Sequence, residues 1–297
     1  MIRLGILDFD TSHVVQFAKR LNHKGISEDQ WVDGASIVVG CPGESSMAPE
    51  VIPGYRKELE ALGIPMVDKP QDMIGKVDGM LIESLQGGVH LRRATPFLEA
   101  GLPCFIDKPM SCGLADAQRL AELAEKHQAP IFSSSSLRYA PELVQYLADP
   151  KHGKILGAHA YGPAPLDPRN PGLYHYGIHP VEVLATIMGP GCERVTCMHE
   201  RDAEVVTGQW KDGRVASVRG IRSGRADYGC VVFAEKGIQT IPIGTTFIYR
   251  ELLKKIVQMF TTKKAPLDIH VTLEVIAFIE AALKSGHNHG AGEAVRH

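Results

Sequence analysis

Through its first 132 residues the chain alternates short apolar runs with helical periodicity, and this alternation constrains the fold more than any other feature. Residues 2–7 (Ile-Arg-Leu-Gly-Ile-Leu) form an apolar run of strand length, and Val14, Val15, Phe17, Ala18 and Leu21 follow at helical spacing. The alternation returns in residues 35–40 and then 55–62, in 80–82 and then 89–100, and in the run up to Ile106 and then 114–127. A last strand at 129–132 closes the series. Strands separated by helices build a parallel sheet, because a parallel neighbour is reached only through a crossover. Leu114, Ala117, Leu120, Leu123 and Ala124 give the final helix one apolar face for that sheet.

Beyond about residue 135 the pattern changes to longer β-rich stretches. Candidate strands are 155–160, 194–198, 203–210, 215–220 and 229–234, with Lys211-Asp212-Gly213-Arg214 as a hairpin turn between two of them. The sequence therefore predicts an α/β Rossmann-like domain with a parallel sheet over residues 1–132. It predicts an α+β domain with a mostly antiparallel sheet over 133–297, for substrate binding and oligomerisation. Residues 271–284 read as a terminal helix stopped by Gly286, with a loose tail to His297. Residues 230–234 are apolar in succession and few helices follow residue 185, so one sheet face is expected to be covered by a second copy, in a homodimer or homotetramer.

A formal charge of −2, with both signs dispersed, argues against nucleic acid or an anionic membrane as partner. The absence of a run of eighteen apolar residues, together with a strand at the amino terminus, leads us to expect a cytoplasmic protein without membrane span or leader. Six cysteines (Cys41, Cys104, Cys112, Cys192, Cys197 and Cys230) show no paired C-x-x-C spacing and fit a reducing compartment.

Chemistry concentrates first in Pro103-Cys104-Phe105-Ile106-Asp107-Lys108-Pro109. Proline denies its predecessor the helical region, so Lys108 is expected at the carboxyl end of a strand, where open α/β sheets bind ligands. Around it stand Asp78-Gly79-Met80-Leu81-Ile82-Glu83-Ser84, His90, Phe97-Leu98-Glu99-Ala100-Gly101 and the helix from Leu114. Further on come Ser136-Leu137-Arg138-Tyr139-Ala140-Pro141, Gly177-Ile178-His179-Pro180-Val181-Glu182 and Ala281-Ala282-Leu283-Lys284-Ser285-Gly286. This order resembles the glucose-fructose oxidoreductase and inositol dehydrogenase (Gfo/Idh/MocA) family over most of the chain. Asp107 stands in place of the glutamate of that family's Glu-Lys-Pro tripeptide.

The resemblance implies a dinucleotide, NAD or NADP, and a small polyol, cyclitol or sugar substrate. It places Glu83 and Ser84 beside the nicotinamide ribose, matches His90 to the family's histidine at the next helix start, and gives Asp107 a role in supporting Lys108 or touching that ribose. The loop after the first strand departs from the pattern. A dinucleotide-binding turn carries Gly-x-Gly-x-x-Gly so that the pyrophosphate can approach the helix amino terminus. Here the turn reads Asp8-Phe9-Asp10-Thr11-Ser12-His13. Either Asp10, Thr11 or Ser12 caps the helix and no phosphate binds, or Thr11, Ser12 and His13 serve as phosphate donors while Asp10 turns away. The second strand ends in Cys41-Pro42-Gly43 without a ribose-binding acid, so NAD and NADP are not distinguished.

The second polar concentration is Tyr174-His175-Tyr176-Gly177-Ile178-His179-Pro180-Val181-Glu182. The family commonly has Asp-x-x-x-His here; alignment on His179 puts His175 at the acid's position. The spacing of His175, His179 and Glu182 also suits a metal on a helix face, but Pro180 sets His179 at a helix start, and no metal is expected. Ser133-Ser134-Ser135-Ser136 reads either as a linker or as hydroxyls at a cleft, and Arg138 either as a substrate ligand or as half of a salt bridge.

These features predict a hydride-transferring oxidoreductase. The catalytic residues are Lys108, His179 and His175; Asp10, Thr11, Ser12, His13, Glu83, Ser84, His90, Asp107 and Lys108 bind the cofactor. Lys108, Arg138, Tyr174, His175 and His179 bind substrate. The alternative is a sensor or regulatory protein of the same fold that has lost the dinucleotide.

Overall fold

The computed structural model describes all 297 residues, Met1–His297, and the chain divides into two compact units. Unit 1 comprises Met1–Ser111, Ala115–Ser134 and Tyr249–Ile269. Its sheet holds β1 (Ile2–Leu7), β2 (Ala35–Cys41), β3 (Gly79–Ile82), β4 (Cys104–Ile106) and β5 (Ile131–Phe132). The order is β2-β1-β3-β4-β5 and every pairing is parallel. The crossovers carry α1 (His13–Leu21), α2 (Ile52–Ala61), α3 (His90–Glu99) and α4 (Leu114–Lys126). Strand order reverses between β1 and β3, and ligands bind at the carboxyl ends beside such a switch point.

Packing, more than propensity, holds these helices. With 9 residues α1 is too short to persist alone in water, but Val14, Phe17, Ala18 and Leu21 are buried. Phe17 meets Phe105 at 6.2 Å between ring centroids, and Phe105 meets Phe132 at 5.6 Å. Each such ring contributes about 1.5–3 kcal/mol over exposure.

The sequence reading missed α7 (Ile248–Thr262), which from Tyr249 onward belongs to unit 1 although it follows the expected boundary at 132/133. A Cβ on Gly79 would stand 2.3 Å from the Phe260 ring, so β3 takes glycine where this helix crosses it.

Unit 2 comprises Cys112–Leu114, Ser135–Ile248 and His270–His297. It holds α5 (Pro141–Ala148), β6 (Ile155–Pro163), α6 (Ile178–Met188), β7 (Cys192–His199), β8 (Ala203–Trp210), β9 (Val215–Ile221), β10 (Gly229–Ala234) and β11 (Gly237–Pro242). α8 (Ile269–His287) and β12 (Glu293–Ala294) complete it. The seven-stranded sheet runs β11-β10-β6-β9-β8-β7-β12, antiparallel except for the β6–β9 pair. β8 alternates as two-residue periodicity requires: Val206, Gly208 and Trp210 are buried while Thr207 and Gln209 are exposed.

Two expectations about the carboxyl terminus are corrected. Gly286 does not stop α8, which continues to His287, because a glycine inside a helix costs only about 1 kcal/mol. The tail is tied down: Glu293 pairs with Val195, Ala294 with Arg194, and Val295 is buried. No helix is long and apolar enough to cross a membrane.

Candidate active site

In unit 1 the three strand ends at the switch point deliver their polar residues together: Asp8 after β1, Glu83 and Ser84 after β3, and Asp107 and Lys108 after β4. All five are buried. Asp8 adopts the left-handed backbone (φ 64°) that glycine supplies in an ordinary phosphate loop, a conformation aspartate tolerates better than most residues. Its carboxylate accepts from the Ser84 hydroxyl and forms an ion pair with Arg93 Nε at 2.9 Å. Burial pushes the Asp8 carboxyl up to about 6, against the opposing pull of Arg93 and Ser84.

Asp10 does not cap α1. Its Oδ1 accepts from the Leu85 backbone N–H at 2.8 Å, Ser12 occupies the N-cap without a side-chain bond, and only Thr11 Oγ1 receives a long 3.5 Å bond from the His13 N–H. The reason is tertiary: the fold brings the Leu85 N–H, just after β3, within reach of Asp10. His13 turns inward, stacked on Phe17 and edge-on to Tyr249. Its Nδ1 lies 2.9 Å from Asp107 Oδ2 and 3.7 Å from Glu83 Oε2.

Lys108 Nζ stands 3.6 Å from Asp107 Oδ2, and the Lys108–Pro109 peptide is cis. Burial alone would raise the Asp107 carboxyl, but the His13 and Lys108 charges outweigh it and hold it below the usual range. Glu83 goes the other way: burial first, then the Asp107 charge, push it well above the usual range.

His90 is fully buried, and both ring nitrogens face backbone carbonyls: Nδ1 that of Pro109 and Nε2 that of Ser84, each at 2.9 Å. The ring therefore ties the β3 and β4 loops together instead of offering a nitrogen to a cofactor. Burial lowers its pKa, although two carbonyl partners favour the doubly protonated ring.

A cavity of about 270 Å³ adjoins this cluster, with Asp10, Ser45, Ser46, Ser84, Arg92 and Arg93 in its lining. These residues fit a dinucleotide on two counts. Asp10 is turned onto Leu85 and Asp8 is paired with Arg93, which removes the charge objection raised by the missing glycines. The first turn of α1 keeps N–H groups that no Ser12 side-chain bond occupies.

The serine run, whose Ser135 opens the long segment of unit 2, is no solvated linker: Ser133 to Ser136 are all buried. Ser135 Oγ lies 2.7 Å from His179 Nδ1 and also accepts from the Leu137 N–H at 3.1 Å. Glu182 Oε1 accepts from the Ser135 N–H at 2.7 Å, and Oε2 pairs with Arg138 Nε at 2.9 Å. Arg138 is thus both half of a buried salt bridge and the owner of a buried Nη2 with no hydrogen-bond partner. α6 begins at Ile178, so His175 lies outside the helix and shares no face with His179, and Glu182 is fully engaged; the His-x3-His metal arrangement does not form.

Tyr174 is buried, and its hydroxyl donates to the Ile276 carbonyl at 3.1 Å, which makes it a core residue. His175 is half-buried and edge-on to Tyr176, whose own backbone is left-handed (φ 57°).

Residues that sequence reading overlooked are Arg93, Glu182 as a clamp, and Ser135. Only the serine run carried a signal for any of them.

The parallel unit with its carboxyl-edge cluster has a Rossmann-like fold, and comparison with known proteins agrees. Residues 46–134 match the model of the Gfo/Idh/MocA oxidoreductase family with an NAD-binding Rossmann fold. The rhizopine catabolism protein MocA of Rhizobium meliloti is 29% identical over 114 residues, 38% of this chain and 36% of that protein. The aligned stretch thus spans little more than a third of that relative's length.

The structure of a probable dehydrogenase from Thermotoga maritima superposes with a TM-score of 0.81 at 18% identity, covering 99% of each chain. That of scyllo-inositol dehydrogenase from Lactobacillus casei, with bound NAD(H) and scyllo-inositol, superposes at 0.77 and 16% identity, again over 99% of each. The likeness to the Gfo/Idh/MocA family thus rests on residues 46–134 in sequence and on the whole chain in fold.

Proposed function

We propose that this protein is an NAD(P)-dependent oxidoreductase acting on a hydroxyl or ketone of a cyclitol, sugar or related polyol. The observation that carries the reading is the buried Lys108 beside Asp107 at the carboxyl end of β4, next to the strand-order reversal. The cyclitol bound to the Lactobacillus casei relative supports the substrate class. Bound nicotinamide supplies or takes up the hydride.

This chain's residues do the rest. Arg92, Arg93, Ser45, Ser46 and the amino end of α1 hold the dinucleotide phosphates and adenosine. Lys108 polarises the substrate oxygen, with its ammonium oriented by Asp107. His179 exchanges the alcohol proton. Ser135, bonded to Nδ1, fixes the ring and its tautomer so that Nε2 is the nitrogen that works. Arg138, anchored through Nε on Glu182, offers Nη2 to a substrate oxygen.

The test has two parts. Calorimetric titration with NADH and NADPH should show micromolar binding of one of them, and a polyol screen with that nucleotide should yield turnover. No binding of either nucleotide at millimolar concentration would refute the reading.

The oligomeric reading is also retained as a proposal. Phe233 and its cross-strand partner Ile238 are both exposed, as are Met198 and Val215, on a sheet whose other face is packed. A homodimer should be seen by light scattering at micromolar concentration; a monomer there excludes it.

A further inference from the structure

Nine buried side-chain atoms in unit 1 lack a hydrogen-bond partner of good geometry, and five of them sit together: Oε1 and Oε2 of Glu83, Oδ1 and Oδ2 of Asp107, and Nδ1 of His13. Buried polar atoms in folded proteins are satisfied almost without exception, so five on three adjoining side chains require an explanation. The neighbours supply only part of one: the His13 ring, with Nδ1 2.9 Å from Asp107 Oδ2, and the Lys108 backbone N–H both favour the Asp107 carboxylate, whereas Lys108 Nζ, at 3.6 Å, is beyond hydrogen-bond length. Glu83, with no exposed surface, has a hydrogen bond to neither carboxylate oxygen.

One donor atom from each of His13, Glu83 and Asp107 falls within 4.8 Å of the other two. A cation with bonds of about 2.1 Å spans donors up to about 4.2 Å apart, so side-chain adjustments of a few tenths of an ångström close the set. The 2.9 Å and 3.7 Å separations from His13 Nδ1 already suit neighbouring ligands on one ion.

We propose that His13, Glu83 and Asp107 form a binding site for a divalent transition-metal ion. One imidazole and two carboxylates are the ligand chemistry of zinc, manganese and ferrous iron, not of calcium or of a thiolate site. The ion brings the positive charge that two buried carboxylates need, and it lets His13 serve as a neutral ligand. All three ligands stand at the sheet's carboxyl edge, His13 at the start of α1 and Glu83 and Asp107 just after β3 and β4, and His13 and Asp107 occupy places where the sequence departs from the family it resembles. His13 replaces the last glycine of the dinucleotide loop, and Asp107 replaces the glutamate of Glu-Lys-Pro.

The experiment is a titration of chelator-stripped full-length protein with Zn²⁺ and, separately, Mn²⁺, followed by calorimetry and by thermal unfolding. One equivalent should bind and raise Tm by at least about 4 °C at saturation. Glu83→Gln should weaken binding at least 100-fold, whereas His287→Ala/His289→Ala, in the exposed carboxyl-terminal segment, should leave it unchanged. Absence of a saturable one-equivalent site, or binding that persists undiminished in Glu83→Gln, overturns the proposal: water then satisfies the five atoms, or surface histidines take the metal. Should Glu83→Gln fail to fold, pulsed EPR of the wild-type Mn²⁺ complex decides. Nitrogen coupling from one imidazole is expected, and its absence is equally decisive against the site.

Discussion

Glu83 in unit 1 and Glu182 in unit 2 are both buried carboxylates at candidate sites, yet they are held in opposite ways. Glu182 has each oxygen engaged, by the Ser135 N–H and by Arg138, within a network that also fixes His179. Glu83 has neither oxygen hydrogen-bonded, and beside it Asp107 is balanced only by the His13 and Lys108 charges. A satisfied buried network rigidifies a site, whereas an unsatisfied one is unfinished until something binds or protonates it. Unit 2 is thus pre-organised for positioning, and unit 1 is built to receive charge.

Substitutions sharpen this contrast. The largest effect is expected from Lys108→Ala: turnover on a screened polyol should fall by about 10²–10⁴-fold, the usual range for a removed acid/base group, with the fold intact by circular dichroism. Full turnover in that variant would remove Lys108 from the chemistry. Glu182→Ala should cost about 3–5 kcal/mol in denaturant unfolding, because it strands the Arg138 guanidinium in a buried site. The matching change Glu83→Gln, measured in chelator, should leave stability level or raise it. If both variants lose stability alike, the difference between the two units is not real.

A third prediction concerns pH. The Asp8 carboxyl is raised from 3.8 to about 6 in the folded protein, so the folded state binds the proton more tightly than the unfolded chain does. Its contribution to stability is full below about pH 4 and is lost as pH rises through 6, by at most about 3 kcal/mol. Asp8→Asn, which tolerates the left-handed backbone, should therefore gain on the wild type between pH 4 and 7. Parallel pH profiles for the two proteins would show that Asp8 titrates normally. The smallest effect is expected of Ser135→Ala, which should lower kcat about tenfold and cost about 1 kcal/mol of stability by freeing the Nδ1 side of His179. It should also shift the pH profile of kcat, a change that loss of packing alone does not produce.

How much of this could be read beforehand differs between the two levels. The parallel unit was legible because Ile2–Leu7, Gly79–Ile82 and Cys104–Ile106 are buried strands with helical patterns between them, and period alone distinguishes the two. Lys108 was legible because proline fixes what precedes it. α7 escaped because its partner surface lies far away in sequence, at Gly79 and Gly34, and nothing local says that Phe260 and Val257 belong there. The hydroxyls of residues 133–136 looked like a linker because burial is invisible in composition.

The sequence by itself determined the class of each unit, the positions of most strands and the placing of Lys108, since these follow from local periodicity and backbone sterics. Tertiary structure alone decided what the polar side chains do. Asp10 leaves the helix it precedes for the Leu85 N–H, His90 is consumed by two carbonyls, Tyr174 disappears into a core, and His13 swings onto Asp107. Each outcome depends on a partner brought close only by folding, and a buried polar atom is governed by whichever partner is within about 3 Å, not by its neighbours along the chain.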